Sequence, residues 1–192
     1  IKEELIKSYD SDKVYKFLHI PVQSGSDKIL HDMKRGHTVK TVREVIEKAK
    51  ERFTDFTIST DVIVGFPSET EEDFEKTVDL INEIRPDMVN LSKYSARPGT
   101  EAAEWDQIET SEVKKRSKVI FDIINKISLE NNQKWIGWKG KVLFDEETNE
   151  GIKGRNFAYK PVVVKEEIKI GQTRIVEIVD ATTRSILGKI AS

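Results

Sequence analysis

The first two-thirds of the chain switch repeatedly between the two-residue hydrophobic period of a strand and the longer period of a helix. Residues 58–64 (ISTDVIV) are rich in β-branched residues that alternate between two faces, which predicts a strand at the centre of the fold. The turn at residues 65–67 ends this strand. A helix is then expected, with Ser68 as its cap and Glu71 completing a capping box.

Two further strands are predicted at residues 14–22 and 88–94, each with apolar side chains on one face and more polar ones on the other. Helices are predicted around the strands, over residues 1–12, 27–33, 38–52, 69–84 and 111–135. Strands that alternate with helices are joined by crossovers, which predicts a parallel sheet. Three such units are too few to close a barrel, so we expect part of one.

The pattern changes at residue 136, where helical periodicity stops and short alternating segments begin. Strands are predicted at residues 139–145, 159–165, 172–180 and 185–190, separated by glycines and charged turns. This texture is typical of a small all-β barrel. The predicted fold class is therefore α/β plus all-β, with an α/β domain at residues 1–135 and a β-barrel at residues 136–192.

Composition excludes several classes of protein. The 192 residues include no cysteine, so disulfides and thiolate metal sites are impossible within the chain, and the three histidines are not spaced as metal ligands. No apolar run approaches the roughly 18 residues needed to cross a bilayer, and no signal peptide is visible, so a cytoplasmic protein without a membrane partner is expected. The opening IKEELIKSYD lacks an initiator Met and reads as part of a helix, which indicates a piece of a longer polypeptide.

Polar residues near the ends of the predicted strands are the first candidates for a site, because ligands of α/β folds gather there. Asp61 and Gly65 fit a nucleoside, since the acid accepts from a hydroxyl or amine and the glycine lets a flat ring approach. The alternative for Asp61 is an interior acid paired with a lysine. In the turn after the first strand, Gln23, Ser24 and Ser26 offer polar contacts for a ligand, or else form an ordinary turn with a serine cap.

Three more polar residues of the predicted α/β domain are candidates. Two of them, Arg35 and Arg97, each have a functional and a structural interpretation. Arg35 is a candidate bidentate donor to a phosphate or carboxylate, unless it only follows a solvated helix end. Arg97 follows the third strand, where either a substrate contact or a tight turn is expected. His19 is expected to be a hydrogen-bonding residue in the interior rather than a metal ligand.

The predicted β-barrel interleaves cations with aromatic residues, as do small barrels that hold unpaired nucleic acid. The candidate RNA contacts are Lys139, Lys141, Arg155, Tyr159 and Lys160. Residues 136–192 hold 10 Lys and Arg against 8 Asp and Glu, which leaves 22 against 26 for the rest of the chain. The contrast is mild and suits a module that touches phosphate, although a solvated barrel face fits the same pattern.

Several motifs in one order resemble the radical S-adenosylmethionine methylthiotransferases. They are LHIPVQSGSDKILHDMKRGHT at residues 18–38, ISTDVIVGFPSETEEDF at residues 58–74 and YSARPGTEAA at residues 94–103. The closing stretch, beginning KGKVLFDEETNEGIKGRNFAYKPVVV, resembles the RNA-binding TRAM module of these enzymes. The segment RPDMVNLSKYSARPGTEAAE is most similar to the archaeal and eukaryotic branch, which acts on threonylcarbamoyladenosine beside the tRNA anticodon.

The resemblance implies a six-unit partial TIM-like barrel, of which this chain holds about the last half, followed by a TRAM barrel. Contacts to S-adenosylmethionine across the strand ends are implied for Gln23, Ser24, Ser26, Asp61, Gly65 and Tyr94. Substrate contacts are implied for Arg35 and Arg97. The implied partners are tRNA and the amino-terminal domains of the same polypeptide.

The chain departs from this family in one large respect. Family members bind a catalytic 4Fe–4S cluster through a CxxxCxxC loop and a second cluster through an amino-terminal domain, whereas this chain has no cysteine. The parent enzyme is expected to form a 5′-deoxyadenosyl radical and to insert a methylthio group at carbon 2 of the adenosine. This piece alone is expected to be inactive. Two alternatives stay open, namely a paralogue that modifies a ribosomal protein and a non-catalytic RNA-binding module.

Overall fold

The structure, a computed structural model, describes residues 2–191, so that residue 1 of the first predicted helix lies outside it. Its elements in chain order are α1 (Lys2–Ser8), β1 (Phe17–His19), α2 (Asp27–Asp32), α3 (Val39–Arg52), β2 (Thr57–Val64), α4 (Glu71–Ile84), β3 (Met88–Lys93), a 3₁₀ turn (Glu101–Ala103), α5 (Thr110–Gln133), β4 (Lys139–Thr148), β5 (Gly151–Arg155), β6 (Pro161–Val164), β7 (Thr173–Ala181) and β8 (Ile186–Ile190). The predicted change from mixed α/β to all-β texture is confirmed.

The chain divides into two compact units, each of which is described by itself. We call them the sheet unit, which comprises His19–Arg52 and Ile58–Asn125, and the barrel unit, which comprises Ile1–Leu18, Phe53–Thr57 and Lys126–Ser192. The two units are defined by contacts in the structure, whereas the domain boundary at residue 135 is predicted from the sequence pattern. That boundary stays a prediction. Within residues 2–191, no helix has both the length and the apolar character that a bilayer span requires.

The sheet has the strand order β1–β2–β3, so the β-branched strand is central as predicted. β2 and β3 run parallel, and their register places Asp61 directly beside Asn90. Residues of neighbouring strands that share a register position point to the same face. This pairing therefore brings two polar side chains together on one side of the sheet.

β1 is much shorter than the strand predicted over residues 14–22. Pro21 has no N–H to donate to the ladder. The hydroxyl of Thr60 replaces the missing ladder bonds, since it accepts from Val22 N at 3.2 Å and donates to Ile20 O at 2.7 Å. The chain nevertheless stays beside β2, because Gln23 forms an isolated parallel bridge with Val62.

α3 and α4 are amphipathic, as their helical spacing predicts. Buried apolar residues along them are Val39, Val42, Val45, Ile46 and Ala49 in α3 and Phe74, Leu80, Ile81 and Ile84 in α4. α4 ends where Arg85 adopts a left-handed conformation with φ of 46° immediately before Pro86, which agrees with the predicted end.

The predicted cap of α4 is wrong by two residues. Thr70, not Ser68, is the cap: its side chain accepts from Asp73 N at 3.2 Å, and the Asp73 carboxylate accepts from Thr70 N at 3.2 Å. Ser68 instead donates to the Asp32 carboxylate at 2.5 Å. The segment SETEED contains two overlapping capping-box patterns, because Ser68–Glu71 and Thr70–Asp73 have the same spacing.

The barrel closes in the order β4–β5–β6–β8–β7. Only the β6–β8 pair is parallel, and the other four neighbouring pairs are antiparallel. Its buried core consists of Trp135, Val142, Phe144, Ala158, Val162, Val164, Val176, Ile178 and Ile186. β5 was not predicted, because GIKGR has two glycines and two cations and so lacks a clear apolar alternation.

A segment from the start of the chain also belongs to the barrel unit. Lys16 N donates to Phe157 O at 2.8 Å in the loop after β5. The rings of Tyr15 and Phe17 lie 5.0 and 5.1 Å from that of Tyr159. The barrel unit is therefore assembled from stretches that are far apart in sequence.

Candidate functional site

Three side chains from three adjacent strands meet on one face of the sheet. Asp61 of β2 lies between His19 of β1 and Asn90 of β3, and we call these residues the Asp61 cluster. His19 Nε2 is 3.0 Å from Asp61 Oδ1, and Asn90 Nδ2 donates to the same oxygen at 2.8 Å. The side chains of His19 and Asp61 are 43% and 29% exposed. The predicted acid is thus hydrogen-bonded and still open to a ligand.

The contacts of Asp61 bear on its two interpretations, a ligand-binding acid and an interior acid paired with a lysine. The partners of the acid are a histidine and an amide rather than the lysine of the alternative interpretation. His19 is a hydrogen-bonding residue, as expected, but the expectation that it lies in the interior is wrong, since its side chain is 43% exposed. Asn90 was not selected from the sequence, although the polar face of the third strand contains it. The signal that identifies it is the parallel register with Asp61, which local periodicity does not supply.

The turn at residues 23–26 is largely buried, and its serine side chains form hydrogen bonds within the protein. Gln23, Ser24 and Ser26 are all buried. Ser24 Oγ accepts from Ser26 N at 3.1 Å, and Ser26 Oγ donates to Asp73 Oδ1 of α4 at 2.6 Å. These bonds support the structural interpretation of the two serine hydroxyls, because each is already occupied.

Gly25 explains why this turn lies so close to α4. Its N–H donates to Thr77 Oγ1 at 2.9 Å, and a Cβ on Gly25 would lie 2.3 Å from Lys76 O. Only glycine permits such an approach of two backbones. The turn is thereby held rigidly at the end of the extended segment that follows β1.

Gly65 is also required by packing. It has φ of 80°, and a Cβ there would lie 2.6 Å from a methyl carbon of Val113 in α5. The side on which a flat ring was expected to approach is therefore filled by Val113. Gly65 N donates to Glu69 Oε2 at 2.9 Å, which ties the turn after β2 to the start of α4.

Behind this turn lies a buried ion pair. Arg116 Nη1 of α5 donates to Glu69 Oε2 at 2.8 Å, and the guanidinium also contacts Glu71, Glu112 and the ring of Phe74. Burial raises the pKa of Glu69, against the hydrogen bonds from Gly65 and Arg116 that lower it. Burial lowers the pKa of Arg116, but its hydrogen bonds to Glu69 and Glu112 raise the pKa more. The pair fixes the loop that follows β2.

The remaining predicted contacts of the sheet unit lie after β3 and α2. Tyr94 is half-buried and packs edge to face against Phe66, with ring centroids 5.2 Å apart. Arg35 and Arg97 are exposed. Their loops are tied together by an ion pair of 2.7 Å between the neighbouring Lys34 and Glu101.

The five predicted RNA contacts of the barrel separate into three groups. Lys139 and Lys141 are exposed on β4. Arg155, at the end of β5, stacks on Tyr159 of the following loop, with the guanidinium carbon 4.6 Å from the ring centroid. Lys160 is only 2% exposed, and its Nζ donates to Asn132 Oδ1 at 2.8 Å. The prediction of an RNA contact for Lys160 therefore needs correction, because its ammonium is held inside the barrel unit.

The residues present differ in how well they fit the implied cofactors. The chain has no cysteine, and residues 2–191 contain no group of three or more His, Cys, Asp or Glu arranged for a metal ion, so an iron–sulfur cluster does not fit this chain. S-adenosylmethionine fits better. Both donors of the Asp61 cluster use Oδ1, and Oδ2 has no hydrogen-bond partner among the described residues. A partly exposed carboxylate oxygen suits a ribose hydroxyl or an amine.

Comparison with known proteins defines the class. Residues 2–81 match the model of the Radical SAM superfamily. The whole chain is similar in fold to part of coproporphyrinogen III oxidase from Escherichia coli, described as a radical SAM enzyme, with a TM-score of 0.57, 14% identity and coverage of 100% of this chain and 49% of that one. Residues 2–81 therefore match the radical SAM superfamily.

Over nearly its whole length, the chain is similar to tRNA methylthiotransferases. It is 48% identical over 194 residues to a probable threonylcarbamoyladenosine tRNA methylthiotransferase from Archaeoglobus fulgidus, covering 99% of this chain and 45% of that protein. It is 38% identical to a tRNA-2-methylthio-N(6)-dimethylallyladenosine synthase from Methylacidiphilum infernorum, covering 97% of this chain and 41% of that protein. The chain thus spans less than half the length of either relative.

Proposed function

We propose that this chain is part of an enzyme that methylthiolates carbon 2 of threonylcarbamoyladenosine next to the tRNA anticodon. The observation behind the proposal is the 48% identity over 99% of the chain to a protein of that title. The Asp61 cluster supports it, since it presents a hydrogen-bond acceptor on the sheet of a radical SAM fold. A ribosomal-protein substrate has less support, because both relatives described above are tRNA enzymes by title.

In this proposal the sheet unit holds S-adenosylmethionine, which supplies the radical chemistry when it is bound beside an iron–sulfur cluster. Asp61 accepts from the ligand, and Tyr94 lines the same region after β3. Ser24, Ser26 and Gly65 keep the adjoining turns in place, as their internal contacts indicate, and Gln23 does so through backbone hydrogen bonds with Asp61 and Ile63. Two 4Fe–4S clusters are held by cysteines outside this chain, in amino-terminal domains of the same polypeptide.

Arg35 and Arg97 are proposed to contact an anionic group of the substrate. Both side chains are exposed, and guanidinium groups bind phosphate and carboxylate through paired hydrogen bonds. The ion pair between Lys34 and Glu101 supports this role, because it connects the loops on which the two arginines lie.

The barrel of β4–β8 is proposed to be a TRAM module that binds tRNA, in a cytoplasmic enzyme. Lys139 and Lys141 support this proposal, since both are exposed on one strand and neither has an ion-pair partner among the described residues. Cations of this kind bind the phosphate backbone without reading its sequence.

The experiment that tests the function uses a polypeptide containing this chain and the upstream cysteines, purified without oxygen and reconstituted with iron and sulfide. It receives S-adenosylmethionine, a reductant and tRNA bearing either threonylcarbamoyladenosine or dimethylallyladenosine. Mass spectrometry of the digested tRNA should detect the methylthio nucleoside only from the first tRNA. Asp61→Ala should abolish the product, whereas Asp79→Ala on the exposed face of α4 should not.

Other outcomes separate the alternatives. Product from dimethylallyladenosine alone would reassign the substrate. Binding of tRNA without any product would favour the non-catalytic RNA-binding module. The 192-residue chain by itself should yield no product, because it has no cysteine for either cluster.

A further inference from the structure

The Asp61 cluster is asymmetric in its use of the carboxylate. His19 Nε2 and Asn90 Nδ2 approach Oδ1 from the two flanking strands, at 3.0 and 2.8 Å. No described residue forms a hydrogen bond with Oδ2. A carboxylate with one oxygen held from both sides cannot rotate without breaking two hydrogen bonds. Oδ2 is thereby kept in one position by residues that do not touch it.

The same contacts specify the protonation of His19. An ionised carboxylate only accepts hydrogen bonds, and Asn90 already donates to Oδ1. His19 Nε2 must therefore bear the proton of this contact. In the neutral ring Nδ1 is then an acceptor, and the side chain of His19 is exposed. The cluster offers a ligand two acceptors, Asp61 Oδ2 and His19 Nδ1.

We propose that His19 and Asn90 are positioning residues for S-adenosylmethionine, which hold Asp61 so that Oδ2 accepts from a hydroxyl of the ligand's ribose. This inference rests on the proposed function, in which Asp61 contacts that ligand. Ribose suits the site because its adjacent hydroxyls are both donors, and the cluster presents acceptors. A purely structural role, in which the cluster only joins three strands, is the competing interpretation.

The tautomer of His19 gives the first test and needs no cofactor. Nitrogen NMR of the 192-residue chain labelled at its histidines should show a proton on Nε2 of His19 at pH 8, where histidine rings are ordinarily neutral. Asp61→Asn should make the two tautomers of His19 more equally populated, because an amide can donate as well as accept, whereas Asn90→Ala keeps the carboxylate and should keep the proton on Nε2. His31 is a matched reference, because its ring is exposed and its Nδ1 lies 3.6 Å from a carboxylate oxygen of the neighbouring Asp32. A proton on Nδ1 of His19 in the unchanged chain would overturn the inference.

The second test measures binding of S-adenosylmethionine to the reconstituted polypeptide by calorimetry. Loss of one positioning hydrogen bond should weaken affinity by about three- to tenfold in Asn90→Ala and in His19→Phe. His19→Gln should retain most of the affinity, since its amide nitrogen replaces the Nε2 donor. Asn82→Ala is the control for Asn90→Ala, because Asn82 is an exposed asparagine on α4 whose side chain bonds only its own helix.

A structural role would give a different pattern. Both His19→Phe and Asn90→Ala would then have a lower thermal midpoint but unchanged affinity for S-adenosylmethionine. His19→Gln and His19→Phe would bind the ligand equally well. If Asp61→Asn loses the ligand and both flanking variants keep it, the positioning role is wrong and the Asp61 contact stands. If Asp61→Asn binds the ligand normally, the inference and the Asp61 assignment fail together. The proposed function fails separately, and only when the unchanged polypeptide forms no methylthio nucleoside.

Discussion

Arg116 and Glu69 form an ion pair whose side chains are 7% and 0% exposed, with Nη1 and Oε2 2.8 Å apart. The arginine comes from α5 and the glutamate from the loop that follows β2. Glu69 Oε2 also accepts from Gly65 N, so the pair holds the turn directly after the strand of Asp61. A buried carboxylate of this kind depends on its partner, because removal of the cation leaves an uncompensated buried charge.

Removing the cation should therefore be costly. Arg116→Ala is expected to lower the free energy of unfolding by about 3–5 kcal/mol, measured by urea denaturation at pH 8. The loss should be smaller at pH 5, because the stranded Glu69 has a pKa raised by burial and takes up a proton more readily there. Lys118→Ala is the control, since its ion pair with Asp122 is exposed and should change stability by less than about 1 kcal/mol. Equal losses for the two variants would contradict the prediction.

Asp73 should make the protein sensitive to acid. Burial raises the pKa of Asp73, but hydrogen bonds from Ser26 and Thr70 lower it more, so the pKa lies below its ordinary value of 3.8. The unfolded chain therefore takes up this proton first as the pH falls. The stabilisation is complete above the unfolded pKa and is lost as the pH drops through the folded one.

Asp73→Asn should accordingly reduce the loss of unfolding free energy between pH 6 and pH 3. Urea denaturation at several pH values measures this difference. Asp79→Asn on the exposed part of the same helix should leave the dependence unchanged. An Asp73→Asn variant with the same acid sensitivity as the unchanged chain would count against the contacts from Ser26 and Thr70.

Gly65 should tolerate no side chain, for two separable reasons. Gly65→Ala is expected to destabilise by about 1–3 kcal/mol, because the new Cβ meets Val113 and the backbone stays at φ of 80°. Adding Val113→Ala should remove the clash with Cβ and leave a cost of about 1 kcal/mol for the left-handed backbone. A double-mutant cycle measures the difference.

Gly36→Ala is the reference for this prediction, since a Cβ at this residue would have no atom within 4 Å and its φ is not positive. We expect a change within about 0.5 kcal/mol there. A Gly65→Ala variant as stable as Gly36→Ala would show that α5 moves away at little cost.

The lysines of the barrel should differ in what they do. Lys139→Ala and Lys141→Ala are each expected to weaken tRNA binding and to reduce the slope of log affinity against log salt by about one. Lys160→Ala should instead lower stability, because it removes the buried hydrogen bond to Asn132. Fluorescence anisotropy with labelled tRNA over a range of salt measures the first effect, and thermal unfolding measures the second. The reverse pattern would mean that the barrel binds RNA through a different face, or not at all.

Periodicity was sufficient for the main elements of the fold. The central strand, the helices and the change of texture at residue 136 follow from apolar spacing, which depends only on neighbouring residues. β5 is not predictable in this way because Gly151 and Gly154 interrupt its alternation. The cap of α4 was misplaced because two equivalent patterns overlap, and only tertiary contacts, here Ser68 with Asp32, distinguish them.

The candidate site was predictable in its central residue and not in its partners. Asp61 is conspicuous as an acid within a β-branched strand. Asn90 becomes its partner through a register between strands, and no local pattern encodes that register. Lys160 does not differ in kind from the exposed Lys139 and Lys141, yet it is buried because the loop after β5 turns its ammonium towards Asn132 of α5.

Because the barrel unit contains segments that are far apart in sequence, its contacts cannot all form at the same stage of translation. The segment with Lys16 is translated well before Phe157, which accepts its hydrogen bond. At about 5–20 residues per second, the delay between the two is on the order of ten seconds. Throughout that interval Tyr15 and Phe17 lack the aromatic surface of Tyr159 on which they finally pack. We therefore expect the nascent segment around Lys16 to depend on chaperones until translation of the barrel is complete.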